Sequence, residues 1–392
     1  MARGGAPSRT NALLAVEKPL GITSHDAVAR VRRAVGERRV GHAGTLDPLA
    51  SGVLVVGVGQ ATRLLGLLAL DEKTYRARIA LGAQTSTDDA EGEAVWAGPV
   101  APELWDEGFA RGRVEALVGE WDQVPPAYSA VSVGGRRAYD RARAGEEVEL
   151  APRHVVVREA RLVAVEAPGA AGAAVPAREC ARIGECARIG DPEPFSDDSS
   201  TCDYSEDSLD YSYECARIGA GGSEADSECA RIGETGAALV PAGPVWVVDL
   251  AVSKGTYVRA IARDLGRELG CGAHLAGLVR TSAGPVGLDA CLSLDELDRG
   301  GAALALERAL DPVATLGLAA RLLALEELAD VRCGRRIALG QVTCADGSRR
   351  APRPRERVAL VWEGGLVGVW GAQGRQLVCE TNFPVAIEGV RA

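Results

Sequence analysis

The chain has 392 residues, 47% hydrophobic and 4% aromatic, which is enough for two or three domains with real cores. No apolar run approaches the roughly 18 residues of a membrane-spanning helix, and that in "MARGGAPSRTNALLAVEKP" is too short for a secretory signal, so a cytoplasmic protein with reduced cysteines is expected. The net charge of −10 does not exclude an RNA partner, because residues 168–243 carry 15 acids against five arginines and the rest balances to zero.

The elements mix helix and strand. "SHDAVARVRRAVG" predicts a helix with Ser24 as N-cap, apolar residues at Ala27, Val28, Val31 and Val35, and a stop at Gly36. "GHAGTLDPLASGVLVVGVG" (41–59) runs from a glycine-rich turn into a strand, "VLVVGV". "KTYRARIAL" alternates, which puts Tyr75, Ala77, Ile79 and Leu81 on one face. "RHVVVREARLVAVEA" and "PVWVVDLAV" read as strands on either side of residues 168–243. "TYVRAIARDLGRELG" carries a helical stripe of Val258, Ile261, Leu265 and Leu269. Past about residue 310 a helical stretch leads into the short β-like runs "RVALVWEGGLVGVWG" and "RQLVCETNFPVAI", spaced as in a small barrel, and a separate C-terminal domain is expected.

Residues 168–243 contain "ECARIG" four times, and between copies "DPEPFSDDSSTCDYSEDSLDYSY" holds eight acids and no base. Five of the ten cysteines lie here, but no Cys-x-x-Cys spacing and no His accompany them, which argues against a metal site. The composition predicts a solvated, disordered loop. Loop-closure entropy grows only logarithmically with length, so such an insertion at a hairpin tip interrupts one domain without dividing it.

Rare residues are concentrated. There are 41 Arg but only Lys18, Lys73 and Lys254, and outside the insertion the tyrosines are Tyr75, Tyr128, Tyr139 and Tyr257. Nearly all of these, with His25, His42 and His274, fall in five short stretches. Ordinary packing and a functional site both explain such clustering. Arg259 lies in the first turn of its predicted helix, where the macrodipole disfavours a cation and a nearby carboxylate would compensate. Arg263 and Arg267, at i+4 and i+8, extend either a basic track for phosphates or a solvated helix face. Asp47 precedes Pro48, which stiffens its setting, and Gly41, Gly44 and Gly52 allow sharp turns or close approach. The same residues fit a positioned carboxylate or an ordinary Asp-Pro turn.

"KPLGITS", "GHAGTLDPLASGVL", "KTYRARIALG", "QVPPAYSA", "SKGTYVRAI" and "GCGAHLAGLVRT", in this order, resemble the motifs of the bacterial tRNA pseudouridine-55 synthases, the TruB family. The resemblance covers residues 11–167 and 244–300 well and the C-terminal part more loosely. It implies an α+β fold: a pseudouridine synthase core over residues 1–310, with a mixed, largely antiparallel sheet and flanking helices, interrupted by 168–243. A small PUA-like β-barrel that grips RNA is implied over 311–392. By position, Asp47 matches the family nucleophile, Tyr75 the tyrosine that stacks on the target base, and Arg259 the arginine paired with the aspartate. His42 matches the histidine that holds the flipped-out RNA, Tyr257 and Leu278 line the uridine pocket, and Lys18 joins the substrate-binding set. Glu17 and Ser132 depart from the family's usual Asp and Lys.

The implied activity is isomerisation of uridine 55 in the T-loop of tRNA. That reaction breaks N1–C1′ and joins C5 to C1′ without redox change, so no cofactor or metal is expected and one carboxylate nucleophile suffices. The base must leave the stack, and Tyr75 would supply a stacking face worth about 1–3 kcal/mol. The T-arm of tRNA is the expected partner, read by shape and phosphates, with "RVRRAVGERRVGH" and "GGRRAYDRARAG" as candidate backbone contacts. A monomer is expected, with no membrane and no obligatory protein partner. Two other readings are a tRNA-folding chaperone with little catalysis and a guide-RNA-dependent synthase.

Overall fold

The computed structural model describes residues 10–69, 72–129, 131–133, 135–146, 149–168 and 243–391. The expectation of disorder over 168–243 falls almost wholly outside them. Strand β1 (Ala12–Lys18), helix α1 (Ser24–Val35), the short β2 (Val40–His42) and β3 (Ala50–Val58) open the chain. The cap of α1 is Thr23, not the expected Ser24. Thr23 Oγ1 accepts from Asp26 N at 3.1 Å, and the Asp26 carboxylate accepts from Thr23 N at 3.0 Å. This reciprocal pair satisfies two otherwise free amides, and Gly36 closes the helix at φ +65°. The stripe of Ala27, Val28, Val31 and Val35 is buried as the periodicity requires.

Next come β4 (Lys73–Leu81), β5 (Gly119–Gln123), β6 (Arg153–Glu166), β7 (Val245–Val252), α2 (Val258–Glu268), β8 (Ala273–Ala283), β9 (Leu292–Ser293) and α3 (Leu294–Glu307). One sheet runs β9-β1-β3-β8-β4-β7-β6-β5, with β2 added to β3 and Val286–Gly287 added to β8. The β1–β9 and β3–β8 pairs are parallel and the other pairs antiparallel, which is the expected mixed, largely antiparallel core. Ala77, Ile79 and Leu81 of β4 pack with Trp246, Val248 and Leu250 of β7 beneath Val258, Ile261 and Leu265 of α2. The alternation read from "KTYRARIAL" therefore faces the core. Strands β6 and β7 pair from Val157–Val252 to Glu166–Val245, so the insertion leaves and re-enters at the tip of an antiparallel hairpin.

The C-terminal part contains β10 (Ala319–Leu322), helix α4 (Leu325–Arg332), β11 (Arg357–Trp362), β12 (Gly365–Gln373) and β13 (Gln376–Ile387). With three two-residue strands these make a second, seven-stranded sheet. It has an apolar cluster of its own around Val331, Leu360, Trp370 and Leu377. On its other side Val361, Leu366, Phe383 and Ile387 pack with Leu13, Val53 and Val55 of the first sheet. The two sheets thus share apolar packing and are not joined by a linker alone.

Candidate active site

Asp47 lies on the loop between β2 and β3, and that loop is tied down along its length. The Ser24 hydroxyl accepts from Leu46 N at 2.8 Å and donates to Leu46 O at 3.0 Å. Gly21 N donates to Pro48 O at 2.9 Å, and Ala50 N to Asp47 O at 3.0 Å. Arg280 of β8, only 1% exposed, donates from Nε to Val53 O at 2.6 Å and from Nη2 to Gly44 O at 3.2 Å. This approach requires Gly52. Its φ is +103°, and a Cβ there would lie 2.2 Å from Arg280 O.

Arg259 faces Asp47 from the first turn of α2. Its Nε is 3.0 Å from Asp47 Oδ2, an ion pair that falls short of an aligned hydrogen bond. Nη1 donates to Asp89 Oδ2 at 3.2 Å and Thr87 O at 3.1 Å, and Nη2 to Tyr128 O at 2.9 Å. Two carboxylates thus offset the unfavourable end of the helix dipole. The arginine side chain is 6% exposed and that of Asp47 40%, so the carboxylate reaches solvent from a rigid, buried partner. Burial raises the carboxyl of Asp47 above its ordinary value, Arg259 opposes this, Asp89 adds to it, and Lys18 opposes it.

A cleft of about 260 Å³ opens over this pair. Asp47, Tyr75, Tyr257, Arg259 and Leu278 all line it, so five of the residues singled out from the sequence come together. Tyr75 of β4 lies opposite Leu250 and Arg280, and Leu278 of β8 opposite Ala50 and Ala77. Gln123 of β5 fixes Tyr257, accepting from its N at 2.9 Å and donating to its O at 3.2 Å.

Lys18 and His42 are not in the lining. Lys18 is fully buried, and its Nζ donates to Pro19 O at 2.8 Å and Ile22 O at 2.7 Å. Burial lowers its pKa to about 8 against the pull of Asp47. It props the turn beneath the cleft and adds positive potential there. His42 meets His25 edge-on at 5.7 Å, and burial, His25 and Arg280 lower its basicity.

The phosphate-track reading of the α2 arginines needs correction. Arg263 is buried, with Nη1 3.1 Å from Asp88 Oδ2, Nε 2.8 Å from Asp264 Oδ1 and Nη2 donating to Val124 O at 2.9 Å. Of the two extensions, only Arg267 is exposed. Asp89, Arg280 and Ser129 also belong to the site, and sequence reading passed over them. The adjacent acids of "TDDAEG" and the arginine in "GLVRT" were the available signals. Among the described residues no group of three or more His, Cys, Asp or Glu is placed to hold a metal ion.

Two family models match the chain: "TruB family pseudouridylate synthase (N terminal domain)" over residues 32–178 and "tRNA pseudouridylate synthase B C-terminal domain" over 259–316. The "tRNA pseudouridine synthase B" of Deinococcus deserti is 38% identical, over 93% of this chain and 97% of that protein. That of Thermobifida fusca is 43% identical over 72% of each chain. The chain belongs to the TruB family. It is therefore a pseudouridine synthase, and the cleft around Asp47 is where a TruB-type reaction would be sought. Among solved structures, the archaeal box H/ACA sRNP Nop10-Cbf5 complex matches with a TM-score of 0.54 at 18% identity, over 95% of this chain and 85% of that one. At that identity the likeness speaks for the fold, and it extends into the second sheet, beyond the reach of the family models.

Proposed function

We propose that this TruB-family enzyme converts uridine 55 in the T-loop of tRNA to pseudouridine, with Asp47 as nucleophile. The Asp47–Arg259 pair at the mouth of the cleft carries this reading. The target uridine leaves its stack and enters with its base against Tyr75, while Leu278 and Tyr257 bound the pocket. Asp47 attacks in its ionised form, which Arg259 favours and orients. The N1–C1′ bond breaks, the uracil turns, and C5 bonds C1′. C5 then loses its proton and N1 gains one, so no oxidant or reductant is consumed. Arg259 is itself fixed by Asp89 and two carbonyls, so little reorganisation accompanies the charge changes at Asp47.

The test is an unmodified tRNA transcript, with pseudouridine mapped by carbodiimide adducts and primer extension. Wild type should give one stop, at uridine 55, and Asp47→Asn should lose activity by on the order of 10³-fold or more while still binding the tRNA. Binding without any stop from wild type would favour the folding-chaperone reading instead. Activity on bare tRNA with no added protein would exclude guide dependence.

A further inference from the structure

Ser129 follows β5 on the segment that holds Arg259, and it is 3% exposed. Its hydroxyl has no hydrogen-bond partner among the described residues, yet the residue lines the cleft. Two other hydroxyls of the lining are committed: Ser253 Oγ accepts from Val156 N at 2.9 Å and meets Thr256 Oγ1 at 3.3 Å. The unpartnered nitrogens of Arg78, Arg113 and Arg321 differ in kind, because each guanidinium is anchored through another nitrogen. Ser129 has a single polar side-chain atom and leaves it unused. Folded proteins pair nearly all buried polar groups, since an unpaired one costs stability, and exceptions gather where a ligand completes the set.

Its position says which part of a ligand it meets. Tyr128, one residue earlier, accepts from Arg259 Nη2 through its carbonyl, while Nε of the same guanidinium meets Asp47. The residue before Ser129 is therefore anchored to the same guanidinium that meets the Asp47 carboxylate. The carbonyl of Ser129 itself accepts from Tyr139 N at 3.1 Å, which fixes the backbone from the other side.

We propose that Ser129 is a specificity residue whose hydroxyl hydrogen-bonds the flipped uridine. This rests on the reading of the cleft as the uridine site. A hydroxyl both donates and accepts, so its partner is a uracil carbonyl, the imino N–H or the ribose hydroxyl. A buried group left unpaired by the wrong nucleotide discriminates more strongly than apolar packing does.

Ser129→Ala separates this role from a structural one. Removing an unpaired hydroxyl should leave Tm unchanged or raise it, while kcat/KM on the tRNA transcript falls about tenfold. A kcat/KM within about twofold of wild type, or a loss that comes with a lowered Tm, overturns the proposal. An inactive wild type would instead sink the uridine-site reading itself. The partner is located by Kd in an Asp47→Asn background, with and without Ser129→Ala, on tRNA carrying uridine or 2′-deoxyuridine at the target. A penalty that vanishes on the deoxy substrate assigns the bond to the ribose, and one that persists assigns it to the base. No penalty on either substrate rejects the contact.

Discussion

In the proposed reaction Asp47 attacks as a carboxylate, yet its surroundings disfavour the charge. Burial is the largest influence on its carboxyl, and Arg259 and Lys18 only partly offset it, so the pKa is raised in the folded protein. The folded state then holds this proton more tightly than the unfolded chain does. Stability falls as pH rises from the ordinary aspartate value of 3.8 through the raised one, and the penalty is complete above it. Asp47→Asn should accordingly melt at a higher temperature than wild type at pH 7, with the difference gone below about pH 3, which calorimetry at the two pH values would check. A variant no more stable at pH 7 would mean that the two cations outweigh burial. Asp47 was legible because its determinants are contiguous: the glycines, Pro48 and the strand behind it lie within residues 41–59. Ser24 shows how a one-residue shift hides a role. The cap fell to Thr23, and the Ser24 hydroxyl was left to pin Leu46, next to Asp47.

Helix α2 works as a two-rung ladder. Arg259 and Arg263, one turn apart, take Asp89 and Asp88 from one turn and the carbonyls of Tyr128 and Val124 from one segment. Asp88 sits at φ +60°, a conformation that costs most residues energy and is tolerated best by Gly, Asn and Asp. The outer rung therefore holds the turn that supplies Asp89 to the inner one. Sequence periodicity showed the arginine row but not Asp89 and Asp88, which lie about 170 residues away along the chain. An i, i+4 row says which side chains share a face and nothing about what that face meets. Arg263→Met leaves Asp88 buried and unpaired, and should cost about 3 kcal/mol by urea denaturation at pH 7. Asp88→Asn keeps a hydrogen-bonding group and a tolerated backbone, and should cost about 1 kcal/mol. The Arg263→Met penalty should shrink at acidic pH. Burial already raises the Asp88 carboxyl, and loss of Arg263 raises it further, so protonation relieves the unpaired charge. Equal costs for the two variants would show that the rung does not depend on the ion pair.

At the scale of the whole chain, the two sheets are bound through Leu13, Val53 and Val55 on one side and Val361, Leu366 and Phe383 on the other. These are strands of the same β1–β3 unit that frames the Asp47 loop. The hairpin around the insertion followed from local patterns, and the largely antiparallel sheet from the family resemblance, but the order of strands in the sheet was not read. The shared core between the sheets did not, because buried faces on distant strands carry no mark of which sheet they will meet. The insertion enters after Glu166 and returns before Val245, which already pair with each other, so the hairpin does not depend on what it carries. Replacing residues 169–242 with a four-residue turn shortens the connection between Glu166 and Val245 about tenfold, and by loop-closure entropy should stabilise the protein by about 2 kcal/mol. It also removes a net charge of −10, equal to that of the entire chain. If the acids do not compete with tRNA for the arginine-rich surface, the shortened chain's Kd should stay within about twofold of wild type at both 50 and 200 mM salt, with the slope of log Kd against log salt unchanged. A tighter Kd confined to low salt would instead identify the acidic segment as an intramolecular competitor, since only a screened, charge-driven contact weakens in that way.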